Sequence, residues 1–246
     1  MIEILNPSRL KLPDGVVAVF TTRTGGVSEG AFEALNLGFS IGDNPVHVRT
    51  NRENLFATLG IDDSELAKPH QTHSANIGMV EQPGEFSNTD ALITHEPNIF
   101  LSVQTADCLP ILIWSIDGEW LGAIHSGWRG TEQGIVPNTM SLLLSATGYQ
   151  PDEYFVCVGP GLGRCHFEVG QEFETKFEPK YLEHRDGLIY FDNTQVILDQ
   201  ILGLGIPREN IEIIEECTYC EADKYFSHRR DSGQTGRMMA LIGRRQ

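Results

Sequence analysis

Short apolar runs separated by polar, glycine-bearing turns alternate with amphipathic stretches along this chain. Residues 15–23, Gly-Val-Val-Ala-Val-Phe-Thr-Thr-Arg, predict a strand that feeds a polar, Gly-rich loop. Residues 44–60 carry both end signals of a helix: Asn44 as cap, Pro45 at the first helical position and Gly60 after the last turn. Val48, Leu55, Phe56 and Leu59 fall on one face of it. Strand-like runs follow at 76–81, 90–94 and 99–108, and two apolar runs then flank Asp117-Gly118, which predicts an antiparallel hairpin. A helix is expected over 131–148, with Pro137 either kinking it or marking its true start. The remainder predicts strand 154–161, helix 168–177, strand 188–192, helix 193–205, strand 211–218 and a last strand 237–243. This mixture predicts an α+β fold: a single domain over residues 1–246, with mixed β-sheets and helices outside.

Composition changes that picture little but excludes several functions. A 40% hydrophobic and 21% charged chain has the balance of a folded protein rather than a disordered one. No run of 18 apolar residues is present, so no membrane span is expected, and the N-terminus has no basic start followed by an apolar block, so the cytoplasm is the expected location. The net charge of −16 argues against a nucleic-acid polymer as partner, though not against a small phosphate. Several arginines lie near glycines or asparagines (Arg23, Arg49, Arg52, Arg129, Arg164 and Arg237), where bidentate anion binding favours Arg, although most such residues elsewhere are surface ion-pair partners. Five scattered cysteines do not make a disulfide framework. Cys217 and Cys220 form Cys-Thr-Tyr-Cys with no second C-x-x-C to complete four ligands, and are expected as buried structural thiols.

Candidate chemistry gathers in three segments: 69–76 with His73, 104–110 with Cys108, and 123–130 with His125. Cys108 lies nine residues before Asp117 and His125 seven after Gly118, so a hairpin register can bring them to one end of a sheet. One Cys and two His make the ligand set of a catalytic zinc, with a fourth position open. Spacing alone does not decide between such a site and unrelated residues, because no close C-x-x-C or H-x-x-x-H pair is involved. His70 is expected to support rather than bind. Trp128 either stacks on a substrate ring or fills the core, Asn36 either meets a sugar or closes a turn, and the Gly-rich 159–165 segment is expected to line a pocket.

The motifs FTTRTGGVSEG, LNLGFSIGD, QTHS, TADCLP, HSGWRG and SHRRDSGQTGR, in that order from about residue 17 to the end, resemble the bacterial family known as laccase-like multicopper polyphenol oxidoreductase, also called peptidoglycan editing factor and purine nucleoside phosphorylase. The resemblance implies zinc held by His73, Cys108 and His125 in a layered α+β sandwich. It implies phosphorolysis of adenosine, inosine or methylthioadenosine to the base and ribose 1-phosphate, together with deamination of adenosine. For that chemistry Cys108, His125, Asp107 and Arg129 are the catalytic candidates. Arg49, Asn36, Gln71 and Arg23 are the candidates for binding purine nucleosides and phosphate. Asp107 is the candidate proton carrier, and Arg49 or Arg129 the phosphate ligand. A multinuclear copper oxidase takes its ligands largely from His-x-His pairs, and none of the eight histidines forms one, so a conventional laccase is not expected. A lone copper can still occupy the same three ligands in vitro, since Cu²⁺ outcompetes zinc at most N/S sites, and a phenol oxidase would follow. The competing readings are a thiol hydrolase acting on a peptidoglycan precursor, with Cys108 as nucleophile and His125 as base, and a non-catalytic, zinc-stabilised binding protein.

Overall fold

A computed structural model describes residues 1–246. Its strands in chain order are β1 (Ile4–Leu5), β2 (Val16–Thr21), β3 (Leu66–Pro69), β4 (Ile77–Met79), β5 (Gly84–Phe86), β6 (Ala91–Thr94), β7 (Phe100–Thr105), β8 (Leu109–Ser115), β9 (Leu121–Ser126), β10 (Tyr154–Val158), β11 (Glu168–Val169), β12 (Leu182–Arg185), β13 (Leu188–Phe191), β14 (Ile211–Ile213) and β15 (Met238–Arg244). The α-helices are α1 (Pro45–Leu59), α2 (Trp128–Glu132), α3 (Ile135–Thr147) and α4 (Asn193–Gly203). Two six-stranded mixed sheets, ordered β1-β2-β15-β7-β3-β5 and β14-β10-β8-β9-β6-β4, stack face to face. Phe20, Leu101 and Ile242 of the first meet Leu112, Trp114 and Ala123 of the second in one buried cluster. α1 covers the outer face of the first sheet through Leu55 and Phe56 against Val19, Phe100 and Leu241. α3 and α4 cover the second through Met140, Leu143, Ile197 and Ile201. The expected α+β class and layered sandwich are both present. Central strands buried on both faces carry continuous apolar runs, and all seven residues of β8 are buried.

Local signals explain most boundaries. Asn44 caps α1 by accepting the Val46 N–H at 3.0 Å, and Gly60 ends it in the left-handed region at φ 66°. The helix expected over 131–148 is two helices, because Gly134 at φ 74° breaks it. Pro137 lies in the first turn of α3, where its missing N–H has no intrahelical acceptor to lose. No helix is long and apolar enough to cross a membrane.

Two further expectations fail. Residues 168–177 are not an α-helix: Val169 pairs with Ile189 in a small sheet ordered β11-β13-β12, and Gln171–Thr175 is a 3₁₀ turn. Phe173 and Phe177 do face inward at helical spacing, but the stretch between Gly170 and Pro179 is too short to repay helix nucleation. The strand expected over 211–218 stops at Ile213, where Glu215 and Glu216 leave the sheet.

Candidate metal centre and cleft

β8 and β9 pair with Leu109 opposite Ser126 and Pro110 opposite His125, which carries Cys108 to the level of Gly127. The loop after β3 brings His73 to the same end. The ligating atoms of His73, Cys108 and His125 lie within 4.8 Å of one another, and the two imidazoles meet edge to face with centroids 4.9 Å apart. The backbone is shaped for this meeting: His73 sits at φ 59° and Asp107 at φ 89°, left-handed values that non-glycine residues hold only where surroundings compel them. Gly127 has no room for a side chain. A Cβ there would lie 2.9 Å from both Cys108 Sγ and His73 Cδ2.

Asp90, the residue before β6, organises the set. Its Oδ1 accepts Nδ1–H of His125 at 2.8 Å and the His73 N–H at 3.0 Å; its Oδ2 accepts the N–H groups of Thr72 (3.0 Å) and Ser74 (2.8 Å) and the Ser74 hydroxyl (2.7 Å). The carboxylate therefore holds His125 in the tautomer whose Nε2 is free to ligate, an arrangement typical of metal-binding histidines. Burial alone would raise the Asp90 pKa, but the bonds from His125, Ser74 and Thr72 hold it well below the usual carboxylate range. At Cys108 burial again opposes ionisation, yet the neighbouring His125 and His73 bring the thiol down to about 6. A soft thiolate with two imidazoles and an open approach suits one zinc ion. These donors do not suit a multinuclear copper cluster: of the other histidines only His70 and His228 reach the cleft, and neither joins the three-residue set.

The centre opens into a cleft of about 1000 Å³. The remaining candidates divide. Asp107 lines the cleft, but its carboxylate accepts the Thr218 hydroxyl at 2.6 Å and the Arg229 N–H at 2.7 Å, so it braces the loop that presents Cys108. Arg129 is exposed at the cleft, its guanidinium 4.3 Å from the Trp128 ring centroid. Trp128 belongs to the cleft wall and packs on Phe173. Gln71 also lines the cleft, while its amide makes a two-way 2.8 Å pair with the Gln104 backbone. His70 lines it without joining the ligands. Three candidates lie elsewhere. Arg49 is exposed on α1 and outside the cleft lining. Arg23 donates to the carbonyls of Glu33 and Ala222 and stacks on Phe226. Asn36 is fully buried and closes a turn through Gly38, Asp43 and the Arg237 N–H.

Arg52, one turn after Arg49, is the arginine that enters. It is buried over Phe39 and Phe56, lines the cleft, and has no hydrogen-bond partner at Nε or Nη2. Asn193, at the start of α4, is also buried in the cleft lining, with Oδ1 unpartnered. Asp90 and Asn193 had no motif to betray them; a lone Asp at the head of an apolar strand was the only hint of the first.

A model of the multi-copper polyphenol oxidoreductase laccase family matches residues 17–245. The chain belongs to that family. A Deinococcus radiodurans protein named purine nucleoside phosphorylase is 35% identical over 239 residues, 95% of this chain and 92% of its own. Purine nucleoside phosphorylase YfiH of Escherichia coli is 34% identical over 238 residues, 94% of each chain. The crystal structure of YlmD from Geobacillus stearothermophilus superposes with a TM-score of 0.90 at 33% identity, covering 95% of this chain and 93% of that one. Membership of this family supports an enzyme, and the family's copper-derived name sits beside a donor set sized for a single ion.

Proposed function

We propose that the chain is a zinc-dependent purine nucleoside phosphorylase, cleaving adenosine, inosine and methylthioadenosine with phosphate to the free base and (methylthio)ribose 1-phosphate, with deamination of adenosine as a second activity. One observation carries the reading: two buried polar groups with unfilled hydrogen-bonding capacity, Arg52 and Asn193, line the same cleft as His73, Cys108 and His125. The name borne by the Deinococcus and Escherichia relatives supports it.

Each group has a task its chemistry suits. The Nε–Nη2 edge of Arg52 is the fork that binds phosphate in two parallel bonds, and burial strengthens its demand for an anion. Trp128, Phe167 and Phe173 give a purine an aromatic wall, and Asn193 Oδ1 is an acceptor for a purine N–H. Bound zinc supplies Lewis acidity at the position left open by His73, Cys108 and His125. Asp90 keeps the His125 proton on Nδ1, and Asp107 fixes the loop that offers Cys108.

Incubation of adenosine and inosine with and without phosphate, followed by chromatographic separation of base from nucleoside, tests the assignment. Phosphate-dependent base release should vanish in Cys108→Ala; unchanged release in that variant ends the metal-centred reading. A second reading has its own support, because Asp90, His125 and Cys108 are aligned as in a Cys-His-Asp nucleophile triad. Protein purified metal-free yet covalently trapped at Cys108 by a peptidoglycan-type amide would favour that hydrolase.

A further inference from the structure

The loop after β10 and the chain between β14 and β15 meet outside the two sheets. Residues 214–237 form neither helix nor extended strand, and a single bridge between Gly161 and Cys217 ties the two segments by backbone. At that junction the expectation of buried structural thiols is overturned: Cys217 is half-buried, Cys220 is exposed, and both meet Cys165 and His166. The missing second pair of ligands is an adjacent Cys-His rather than another C-x-x-C.

We propose that Cys165, His166, Cys217 and Cys220 form a second, closed metal site that holds a structural zinc ion through three thiolates and the Nδ1 of His166. The four donor atoms lie within 4.8 Å of one another. Cys165 Sγ and Cys220 Sγ are 3.7 Å apart, and His166 Nδ1 is 3.3 Å from each. Thiolates about 2.3 Å from a tetrahedral zinc stand roughly 3.8 Å apart, and a nitrogen at about 2.0 Å stands roughly 3.5 Å from each of them, so little movement is needed. The Gly163 N–H reaches Cys217 Sγ at 3.3 Å, the kind of backbone donor that orients and supports a ligating sulfur. The His166 ring is held flat against Tyr219, centroids 4.0 Å apart. With four protein ligands no position remains for a reactant, which separates this site from the open three-ligand centre.

Such an ion would fasten two segments that both serve the cleft. Leu162 and Phe167 flank Cys165-His166 on the cleft wall, while Thr218 and Arg229, on the other segment, hold Asp107. A disulfide between Cys165 and Cys220 would tie the same segments but give the converging Cys217 sulfur and His166 Nδ1 no common function.

The full chain is purified without chelator under mild reduction and its metals are counted by elemental analysis. Cys108→Ala, which disables the open centre and leaves these four residues intact, should retain zinc, and X-ray absorption should show a shell of three sulfurs and one nitrogen. Substituting Co²⁺ in the same variant should give the absorption of a sulfur-rich tetrahedral site. In Cys165→Ser/Cys220→Ser that signature should disappear while zinc at His73, Cys108 and His125 persists. Metal-free Cys108→Ala after zinc-replete expression overturns the proposal. So does iron with sulfide in place of zinc, or a non-reduced mass two hydrogens lighter with Cys165 joined to Cys220. If the double variant fails to fold, the Cys108→Ala measurements decide alone. None of these readouts depends on turnover, so the nucleoside reading can fail without this one.

Discussion

Replacing Asp90 with Asn tests how the open centre is organised. The change removes one acceptor oxygen and puts an amide NH₂ in its place. Oδ2 takes four donors and Oδ1 two, so the least costly orientation sets the NH₂ against the His73 N–H and His125 Nδ1. Burial would lower the His125 pKa, but the Cys108 thiolate and the Asp90 bond raise it to about 9. Without the carboxylate the neutral ring pairs with the amide by accepting at Nδ1, which leaves its proton on Nε2, the nitrogen that would ligate. An unpaired buried N–H costs about 1–3 kcal/mol and a lost charge-assisted bond about 1.5–3 kcal/mol, so the metal-free variant should be less stable by roughly 3–5 kcal/mol at pH 7. Zinc affinity should fall about 10–100-fold, as when other partners of ligating histidines are removed. The first number is read by denaturant titration of chelated protein, the second by competition with a chromophoric chelator. The folded pKa of Asp90 is depressed, so its stabilisation is present above the unfolded value near 4 and is lost as pH falls through the lower folded value. The gap between wild type and variant should therefore shrink on strong acidification. A variant with wild-type zinc affinity at pH 7 would refute the tautomer argument.

Further outcomes follow from the same geometry. Arg52→Lys keeps a charge but loses the fork, and should raise KM for phosphate by about 10-fold or more, whereas Arg49→Ala, exposed on the same helix, should change it by less than about 2-fold. Steady-state kinetics with phosphate varied check both. Gly127→Ala forces a methyl against Cys108 Sγ and His73 Cδ2, and should weaken zinc binding with little change in overall circular dichroism. In metal-free protein, alkylation of Cys108 by iodoacetamide should rise with pH through about 6, well below the roughly 8.5 of an ordinary thiol. An ordinary midpoint would mean that the imidazoles do not face the sulfur, and saturating zinc should suppress the reaction.

The sequence was most legible where one local rule sufficed. Helix α1 was bounded by Asn44, Pro45 and Gly60, and the β8–β9 register followed from two apolar runs around Asp117-Gly118. Even there the turn differs from a two-residue loop: only Gly118 is left-handed, and Asp117 accepts from the Ser115 hydroxyl and the Glu119 N–H instead. The true two-residue turn is Asp186-Gly187, with both residues at positive φ, joining β12 to β13; its flanking strand, Leu-Glu-His-Arg, is too polar for hydrophobic alternation to reveal. Cys108 and His125 were visible as residues that end apolar runs, and His73 only as a histidine on a polar segment that the family motif singles out. Arg52 was indistinguishable from Arg49, because which arginine turns inward depends on Phe39 and Phe56. The Cys165-His166 pair was hidden because its partners lie more than fifty residues away, across a contact that only the folded chain makes.

The cleft sets Arg52, Arg129, Arg229, Arg237 and Lys68 against Glu85, Asp107, Glu168 and Glu172, a slight local excess of positive charge inside a molecule whose formal charge is −16. An anion therefore meets repulsion at long range and attraction only within about one Debye length of the mouth, roughly 8 Å at physiological ionic strength. Modest salt should screen the outer field before the inner one, so capture of phosphate should quicken on raising ionic strength from very low values, while uptake of an uncharged nucleoside stays indifferent to it.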